Sequence, residues 1–526
     1  MTETTTAYRS TMRTERDGFG QLLHSEWTKF RTVRGWVIAT VVAALVTVLF
    51  GLLTAAGSHT SCSNGPVEID CPAIPVGPGG EAVKDSFYFV HQPLAGDGSI
   101  TVRVTSLTGG VVARDGGVVR KLDATTPTSG AIQPWAKAGL IIKENTTQGS
   151  AYAAIMVTGG HGVRMQDNYT GDAAGPAGAV SAASPRWLRL TRTGNTLTGY
   201  SSIDGAAWTA VGTAHLAGLS TTVQAGMFAT SPIQETFTQQ LGGGSATGGP
   251  TLATARFDTL GLQGHWPEKA WTGDAVGAEP GRAASGELRQ SGATYAVAGT
   301  GDIAPDVAGS GATIEQTLAG VFATLAMMVV LGVLFITTEY RRGMIRTSLT
   351  ARPRRGQILA AKAMVIGAVT FVTGLIANAV TFPLTAHFLR ANGNFIYPTT
   401  WLTALRVIAG TAALLAVAAV LALAVGTIVR RSAGAVAAVI VLIVLPYIVS
   451  TAGVLPAGPS QWLLRLTPAA GFAIQQSLIE YPQVSHAYAP AFGFYPLVPW
   501  SGFAVLCAYA AVALGVAHYL LQRRDT

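Results

Sequence analysis

The chain contains several long uncharged apolar runs and one long stretch in which apolar and polar residues alternate every residue or two. A bilayer core about 30 Å thick needs about 20 apolar residues in a helix to cross it. We therefore predict transmembrane helices at six uncharged runs of this length: Trp36 to Ala56, Thr317 to Thr338, Ala363 to Thr385, Val407 to Val429, Ala433 to Leu455 and Ser501 to Gln522. The alternative for the first run is a cleaved signal peptide, but the run is long for one and lies far from the first residue.

The alternating stretch, residues 57–313, separates the first apolar run from the other five. Its segments are bounded by turn signals and include DSFYFVHQ (85–92), SITVRVTSL (99–107), WAKAGLIIKE (135–144), AYAAIMVTGG (151–160) and RWLRLTRTGNTLTGYSSIDG (186–205). Period-two alternation with frequent turns predicts an inserted all-β domain, a jelly roll or β-sandwich, over about residues 82–262. Residues 263–286 are rich in Gly, Ala and Pro and predict a linker, with extra strands before residue 313.

The distribution of charge predicts the orientation of these segments. Seventeen Lys and Arg residues flank one side of the predicted helices, seven of them in the loop 339–362, whereas the short loops on the other side hold three. Basic flanks stay in the cytoplasm, so we predict a multi-pass plasma-membrane protein with cytoplasmic termini and an extracytoplasmic segment 57–313. That segment has a net charge of −4 against +12 for the remainder, so the basic pI near 9.5 reflects topology and no nucleic-acid binding is expected.

The predicted division is therefore a cytoplasmic N-terminal segment, a first helix, an extracytoplasmic region and a module of five further helices, at residues 1–34, 35–56, 57–313 and 314–526. Within the N-terminal segment, Leu23, Trp27 and Phe30 recur at helical spacing, with Glu26 away from that stripe. This pattern predicts a helix that lies along the membrane surface before the first span. The alternative is a simple membrane anchor.

The three cysteines have different expected roles. Cys62 and Cys71 follow the first span closely, where an oxidising extracytoplasmic space permits a disulfide between them. Two free thiols are the alternative. Cys507 lies inside the last apolar run and is expected to be a small packing residue.

Motifs for catalysis are missing from the sequence. There is no CxxC, no HExxH and no Gly-Lys pair, so the chain has no phosphate-binding loop of the GxxxxGK type. No cytoplasmic segment is long enough to hold a nucleotidase domain. We therefore expect no enzyme activity, no cofactor and no bound metal, and any uphill transport must draw its energy from a partner or an ion gradient.

The β-rich segment resembles the concanavalin-A-like, or laminin-G-like, jelly-roll domains through PWAKAGLIIKE, YAAIMVTGGHGVRMQ, WLRLTRTGNTLTGYSSIDGAAW and AGMFATS. Some members of that superfamily bind glycans. His161, Arg164, Gln166, Asp167 and Tyr169 lie close together in a strand-to-loop segment and are therefore candidates to line a polar ligand pocket. A solvated strand edge is the alternative, and Trp135, Trp187 and Trp208 are expected to pack in the core rather than to stack on sugars.

Two other stretches, SEWTKFRTVRGW and TTEYRRGMIRTSLTARPRRGQILAAKAMVIG, resemble the permease subunits of type-two ABC transporters. The resemblance implies an exporter-like permease, a homodimer, and a separate ATPase subunit on which the loop after the second span rests as a short coupling helix. Here that helix would be Tyr340 to Leu349, with Glu339 pairing with a neighbouring arginine. Its expected contacts are Met344, Ile345 and Leu349 as apolar residues and Arg341, Arg342 and Arg346 as polar ones.

A different class of function also fits the sequence. In this alternative the jelly roll binds a glycan or envelope ligand, and the helices only anchor a sensor or adhesion protein. Resemblance to the permeases favours the transporter, but it does not name the substrate.

Overall fold

The computed structural model describes residues 18–59, 62–64, 67–69, 73–112, 126, 128–240, 243–267, 269–278, 286–307, 311–341, 355–452, 454–484 and 488–523. The α-helices in these ranges are α1 (Phe19–Thr32), α2 (Arg34–Ala56), α3 (Ile314–Thr317), α4 (Val321–Arg341), α5 (Arg355–Ala391), α6 (Trp401–Val429), α7 (Ser432–Thr451), α8 (Ala457–Leu466) and α9 (Pro499–Arg523). Two 3-10 helices span Pro468–Gln475 and Pro490–Phe492.

Six of these helices, α2, α4, α5, α6, α7 and α9, are long and apolar enough to cross a membrane. Each overlaps one of the apolar runs of the sequence. The helix α5 is much longer than its run, with 37 residues. The helix starts before the apolar run, which begins after the charged residue Lys362. Lysine is a good helix former, and the charge of Lys362 is neutralised by partners in the fold, so the helix continues through this position.

The helix α6 lies at the centre of the bundle and packs against α4, α5, α7 and α9. Small residues allow the close approach of α4 and α6, because a Cβ atom on Gly332 would lie 2.5 Å from the carbonyl oxygen of Ala419. The buried apolar side chains shared by these helices include Leu325, Val329, Val333, Leu414, Leu415 and Leu421.

The strands form a separate region between α2 and α3, apart from β22, which follows α5. They are β1 (Cys62–Asn64), β2 (Val67–Ile69), β3 (Val83–Asp85), β4 (Phe87–Val112), β5 (Thr128–Ser129), β6 (Lys137–Lys143), β7 (Tyr152–Thr158), β8 (Val163–Asp167), β9 (Gly171–Ala174), β10 (Arg186–Thr193), β11 (Thr196–Ser202), β12 (Thr209–His215), β13 (Thr222–Thr230), β14 (Gln234–Gln240), β15 (Gly243–Gly249), β16 (Thr251–His265), β17 (Thr272–Val276), β18 (Gly286–Ser291), β19 (Thr294–Gly299), β20 (Ile303–Pro305), β21 (Gly311–Ala312) and β22 (Phe395–Ile396).

The long strand β4 organises the β domain. Its first part pairs with β13 and β17, and its second part pairs with β10 and β16, in each case antiparallel. Between the two parts, Gly96 adopts a φ of +68°, which residues other than glycine rarely reach. The sequence predicted two strands here because this turn-like segment interrupts the alternation, whereas hydrogen bonds continue on both sides of it.

Alternate residues of these strands point into a core between two layers. One layer continues from β4 through β13, β6, β7 and β8, and the other through β10, β11 and β12. Apolar side chains from both layers meet in one buried cluster, among them Val102, Leu140, Ile155, Leu190 and Met227. The predicted two-layer β architecture is therefore present, while its assignment as a jelly roll stays a proposal.

The opposite face of the first layer is also buried. Phe87, Phe89 and Phe228 pack there beside two lysines, Lys137 and Lys143, which are fully buried. Each lysine meets a carboxylate, because Lys137 Nζ lies 2.8 Å from Asp302 and Lys143 Nζ lies 2.8 Å from Asp85. Paired charges of this kind are tolerated in an interior where single ones are not.

The linker predicted at residues 263–286 was partly wrong. The strand β16 runs on to His265, and Thr272–Val276 pairs with β4 along His91 to Phe87. Backbone hydrogen bonds depend little on side-chain type, so a Gly- and Ala-rich segment can pair with the free N–H and C=O groups at the open edge of a strand. The extra strands expected before residue 313 are present as β18 and β19, which form a hairpin beside β16.

The β domain rests on the loops at one end of the helix bundle. Gln483, which is buried, donates hydrogen bonds to the carbonyl oxygens of Tyr169 and Thr170 at 3.3 Å each. Ala82 and Val307 of the β domain pack against Leu478 and Phe494 of the loops between α8 and α9, within one apolar cluster.

Candidate functional site: a buried charge cluster

Four charged side chains meet at the end of the helix bundle that lies away from the β domain. Glu26 and Lys29 lie three residues apart on α1 and therefore share one face of that helix. Glu339 lies in the last turn of α4, and Lys362 in the second turn of α5. We call these four residues the charge cluster.

The ammonium group of Lys362 lies at the centre of the charge cluster. Its Nζ donates hydrogen bonds to Glu26 Oε2 and to Glu339 Oε1, each at 2.7 Å. Lys29 Nζ donates to Glu26 Oε1 at 2.6 Å and to Glu339 Oε1 at 3.3 Å. Two cations and two anions therefore balance, which is the condition under which buried ion pairs persist.

The charge cluster is almost closed to solvent. The side chain of Lys362 is 0% exposed and those of Glu26 and Glu339 are 1% and 6% exposed, whereas Lys29 is 40% exposed. Burial alone lowers the pKa of Lys29, but the hydrogen bond and charge of Glu26, followed by those of Glu339, raise it above its ordinary value. Lys29 thus stays protonated and closes the cluster on its open side.

Aromatic rings pack against one side of the charge cluster. The Lys362 ammonium lies 4.7 Å from the centre of the Phe335 ring, a distance suited to a cation–π contact. Trp36 packs edge-on against Phe335 at 5.1 Å between ring centres, and Phe30 does so at 6.0 Å. These rings join α1, α2 and α4 and shield the charges from water.

The charge cluster closes the base of the loop between α4 and α5. Glu339 and Lys362 stand on either side of residues 342–354, which lie outside the described part of the chain. The flanks of the loop have further contacts: Arg355 Nη1 donates to the carbonyl oxygen of Leu521 at 2.6 Å, and the Arg430 guanidinium lies 5.0 Å from the Tyr340 ring centre. The described residues that flank this loop therefore contact α1, α9 and the end of α6.

The helix α1, which was predicted to lie along the membrane surface, differs from the expected pattern at Trp27 and Glu26. Phe30 is buried and Leu23 packs against the same apolar cluster, whereas Trp27 is 43% exposed. Glu26 was placed away from the apolar stripe, but it is buried. The reason is that a carboxylate at this position meets Lys362 from another helix, which helical spacing within α1 cannot reveal.

Most of the residues predicted to contact an ATPase lie outside the described part of the chain. Tyr340 and Arg341 end α4, whereas Arg342, Met344, Ile345, Arg346 and Leu349 lie outside the described residues. Among the described residues, Glu339 pairs with Lys29 and Lys362, and its expected arginine partner stays a prediction because most of the neighbouring arginines lie outside those residues. The sequence analysis also did not predict that Lys29 and Lys362 form ion pairs. The acids Glu26 and Glu339 in otherwise basic flanks were a signal for such pairs.

The residues of the predicted ligand pocket come together only in part: His161, Arg164 and Gln166 lie around Trp135 and Asp172, whereas Tyr169 lies apart from them. Arg164 and Gln166 both bond to Asp172, and His161 stacks on the buried Trp135 at 4.0 Å between ring centres. Tyr169 is buried elsewhere and donates a hydrogen bond to Asp85 at 2.7 Å.

Other predicted positions have simpler outcomes. Burial raises the pKa of Asp167 in the predicted pocket, but its carboxylate joins no ion pair among the described residues. Trp187 and Trp208 are partly exposed and lie under Arg103 and Arg189, rather than in the core. The pairing of Cys62 with Cys71 lies outside the described residues, and Cys507 is a free, half-buried thiol. Among described residues, no group of three or more His, Cys, Asp and Glu is arranged to hold a metal ion.

Six apolar helices with α6 at their centre, an inserted β domain and a paired charge cluster at the base of one loop define a multi-pass membrane protein. The chain belongs to the ABC-2 family transporter proteins, whose sequence profile matches residues 189–526, more than half of its length. It is therefore a permease component of an ABC transporter. That family is a membrane component and not itself catalytic, and it implies an ATPase partner.

Comparisons with individual proteins add little. No curated protein matches the chain. Solved structures that are similar to part of it include a functionally unknown protein from Saccharomyces cerevisiae, with 14% identity and a TM-score of 0.20 over 40% of this chain and 93% of that one. Scytalido-glutamic peptidase is 7% identical, with a TM-score of 0.22 over 41% of this chain and 98% of that one. Scores this low establish no shared fold.

Proposed function

We propose that this permease exports its substrate, works as a homodimer with a separate ATPase subunit, and receives the force of ATP hydrolysis through the loop 339–362. The charge cluster carries the proposal, because its ion pairs hold both ends of the loop against α1. A push on the loop then moves three helices as one body, since separating buried charges is costly. Coupling of this kind needs such a rigid connection.

The proposal includes an orientation. The termini and the charge cluster face the cytoplasm, where the ATPase lies, and the β domain, a jelly roll, faces the outside. The excess of Lys and Arg around the charge cluster supports this orientation. Homodimer formation is supported by the largely exposed apolar surfaces of α2, α7 and α9, which lipid and a second copy can cover together.

Replacement of Met344 and Ile345 by Asp tests the coupling loop. Two apolar contacts with the ATPase would be exchanged for charges, so we expect at least about ten-fold less ATPase to co-purify with the permease, while membrane insertion is unchanged. The measurement is quantitative immunoblotting after solubilisation of membranes that contain both subunits.

The matched control carries the same chemical change on the β domain. Ile203 and Ile233 are 69% and 48% exposed there, so their replacement by Asp is expected to leave the amount of bound ATPase unchanged. Equal recovery of ATPase with the loop variant and with wild type contradicts the proposed docking site.

A further inference from the structure

A second polar site lies at the opposite end of the helix bundle, next to the β domain. A cavity of about 430 Å³ opens there between the outer ends of α2, α4, α5 and α7. Its lining combines apolar side chains with polar and aromatic ones, the latter including Thr54, Gln475, Phe322 and Tyr447. Volumes of this order are typical of small-molecule sites.

One carboxylate of this cavity, that of Glu315, has an oxygen atom that accepts no hydrogen bond. Glu315 Oε2 accepts a hydrogen bond from the Ser477 hydroxyl at 2.6 Å, whereas Oε1 is buried without a hydrogen-bond partner, although the residue as a whole is partly exposed. None of the ion pairs among the described residues includes Glu315. A buried carboxylate oxygen with no partner costs free energy, which a bound cation would recover.

The local structure fixes the carboxylate and keeps space beside it. Thr313 and Gln316 form a reciprocal cap at the start of α3, so the backbone of Glu315 is held in place. Gly493 lies opposite, with a φ of +87°, and a Cβ atom there would lie 3.2 Å from Glu315 Oε1. Glycine at this position therefore leaves room next to the free oxygen.

The groups around Glu315 leave its charge only partly compensated. Arg406 on α6, Tyr447 on α7 and Tyr495 lie near enough to interact electrostatically with the carboxylate. The Arg406 guanidinium is instead bonded to the carbonyl oxygen of Gln476. Burial raises the pKa of Glu315, and the Ser477 hydrogen bond offsets part of that rise.

The chemistry of the lining selects one class of cation. A divalent metal prefers six or more oxygen ligands, usually several of them carboxylate, and the cavity offers one carboxylate. Phe322 and Tyr447, whose ring centres are 4.9 Å apart, offer aromatic faces that favour organic ammonium groups. Leu318, Val321 and Leu389 supply apolar surface for the body of such a ligand.

We propose that this cavity binds a primary amine with an apolar body, and that Glu315 is the counter-ion of its ammonium group. Binding does not depend on the export function proposed above, whereas a role of the amine as transported cargo rests on it. Binding to the purified permease without ATPase or ATP tests the site alone, so failure of export and failure of the site are distinguishable.

The test is isothermal titration of the full chain in phosphatidylglycerol nanodiscs with 4-phenylbutylamine, using 4-phenylbutanol as the uncharged analogue. We expect the amine to bind at least about ten-fold more tightly than the alcohol, and Glu315→Gln to remove this difference. Glu480→Gln is the matched control, because Glu480 is exposed and lies outside this cavity. Equal affinity for amine and alcohol, or an unchanged amine affinity in Glu315→Gln, overturns the proposal.

A second measurement uses the unmodified protein and is independent of whether a variant folds. The amine stays protonated between about pH 5 and about pH 8, and the neighbouring arginine and tyrosines do not titrate there. Because only ionised Glu315 attracts the amine, the affinity is expected to fall as the pH is lowered through the pKa of Glu315, which burial raises above its ordinary value. An affinity independent of pH overturns the proposal.

A lipid headgroup and a free small molecule can carry the same primary amine. Nanodiscs that contain phosphatidylethanolamine distinguish these sources. Loss of 4-phenylbutylamine binding in them supports the site with a lipid as its occupant, and unchanged binding supports the site with a free amine.

Discussion

Several buried charges in this protein form ion pairs between distant parts of the sequence. Lys362 meets Glu26 across 336 residues, and Lys137 meets Asp302 across 165 residues. The sequence predicted Lys362 at the end of the loop 339–362 and Lys137 within a strand, and it indicated no partner for either. The fold instead places a carboxylate within hydrogen-bond distance, which offsets the loss of hydration.

Replacement of Lys362 by Met tests the charge cluster. The carboxylates of Glu26 and Glu339 then share Lys29, so an uncompensated negative charge remains buried. We expect a loss of about 3 to 5 kcal/mol in the free energy of unfolding, together with loss of ATPase stimulation by the permease. Thermal unfolding of the purified protein and ATPase assays of the assembled complex measure these effects.

Two further variants serve as controls for that experiment. Lys29→Met removes a partly exposed cation, and its cost is expected to be about 1 kcal/mol. Adding Glu339→Gln to Lys362→Met removes the excess negative charge and is expected to restore part of the stability. Equal destabilisation by Lys362→Met and Lys29→Met would show that burial of the charge cluster does not matter.

The positions of the long helices follow from the apolar runs of the sequence, whereas the contacts between helices depend on individual residues. The apolar runs located all six spans, but the limits of α5 were misjudged because Lys362 was treated as the end of a helix. The packing of α4 on α6 depends on glycine, because a larger residue would hold the two helices apart. The apolar residues and the lengths of the runs do not indicate which helices are in contact. Gly332 is one such contact.

Gly332→Leu tests this contact. A side chain at Gly332 collides with the backbone of α6, so we expect loss of monodisperse protein in size-exclusion chromatography and a lower yield of folded permease. Gly515→Leu on α9 is the matched control, because a Cβ atom there meets nothing within 4 Å, and normal elution is expected. A normal elution profile for Gly332→Leu would contradict the close packing of α4 and α6.

For the molecule as a whole, the two ends of the bundle have separate roles in the proposals above. The charge cluster and its loop lie at one end, and the Glu315 cavity and the β domain lie at the other. The β domain contacts the bundle through Gln483 and the apolar residues around Leu478, and Leu478 lies next to Gly493 of the Glu315 cavity. The inserted domain therefore lies beside the end of the bundle that holds the Glu315 cavity.

Cysteine labelling tests this orientation. In a background with the three native cysteines replaced by serine, we expect Ser181→Cys on the exposed surface of the β domain to react with a membrane-impermeant maleimide in intact cells. Arg354→Cys is expected to react only after permeabilisation, because basic loops stay in the cytoplasm. Reaction of both positions in intact cells would reverse the assigned side of the loop.

Hydropathy and alternation are properties of short stretches of chain, and for this reason the sequence predicted the membrane helices and the inserted β domain correctly. Whether Thr272–Val276 is a linker or a strand depends on an open edge supplied by β4, which lies far away in the sequence. The partners of Glu26 and Lys362, and the free oxygen of Glu315, likewise follow from contacts between elements hundreds of residues apart. Tertiary packing decides these features, because the free energy of a buried charge depends on the groups that surround it in space.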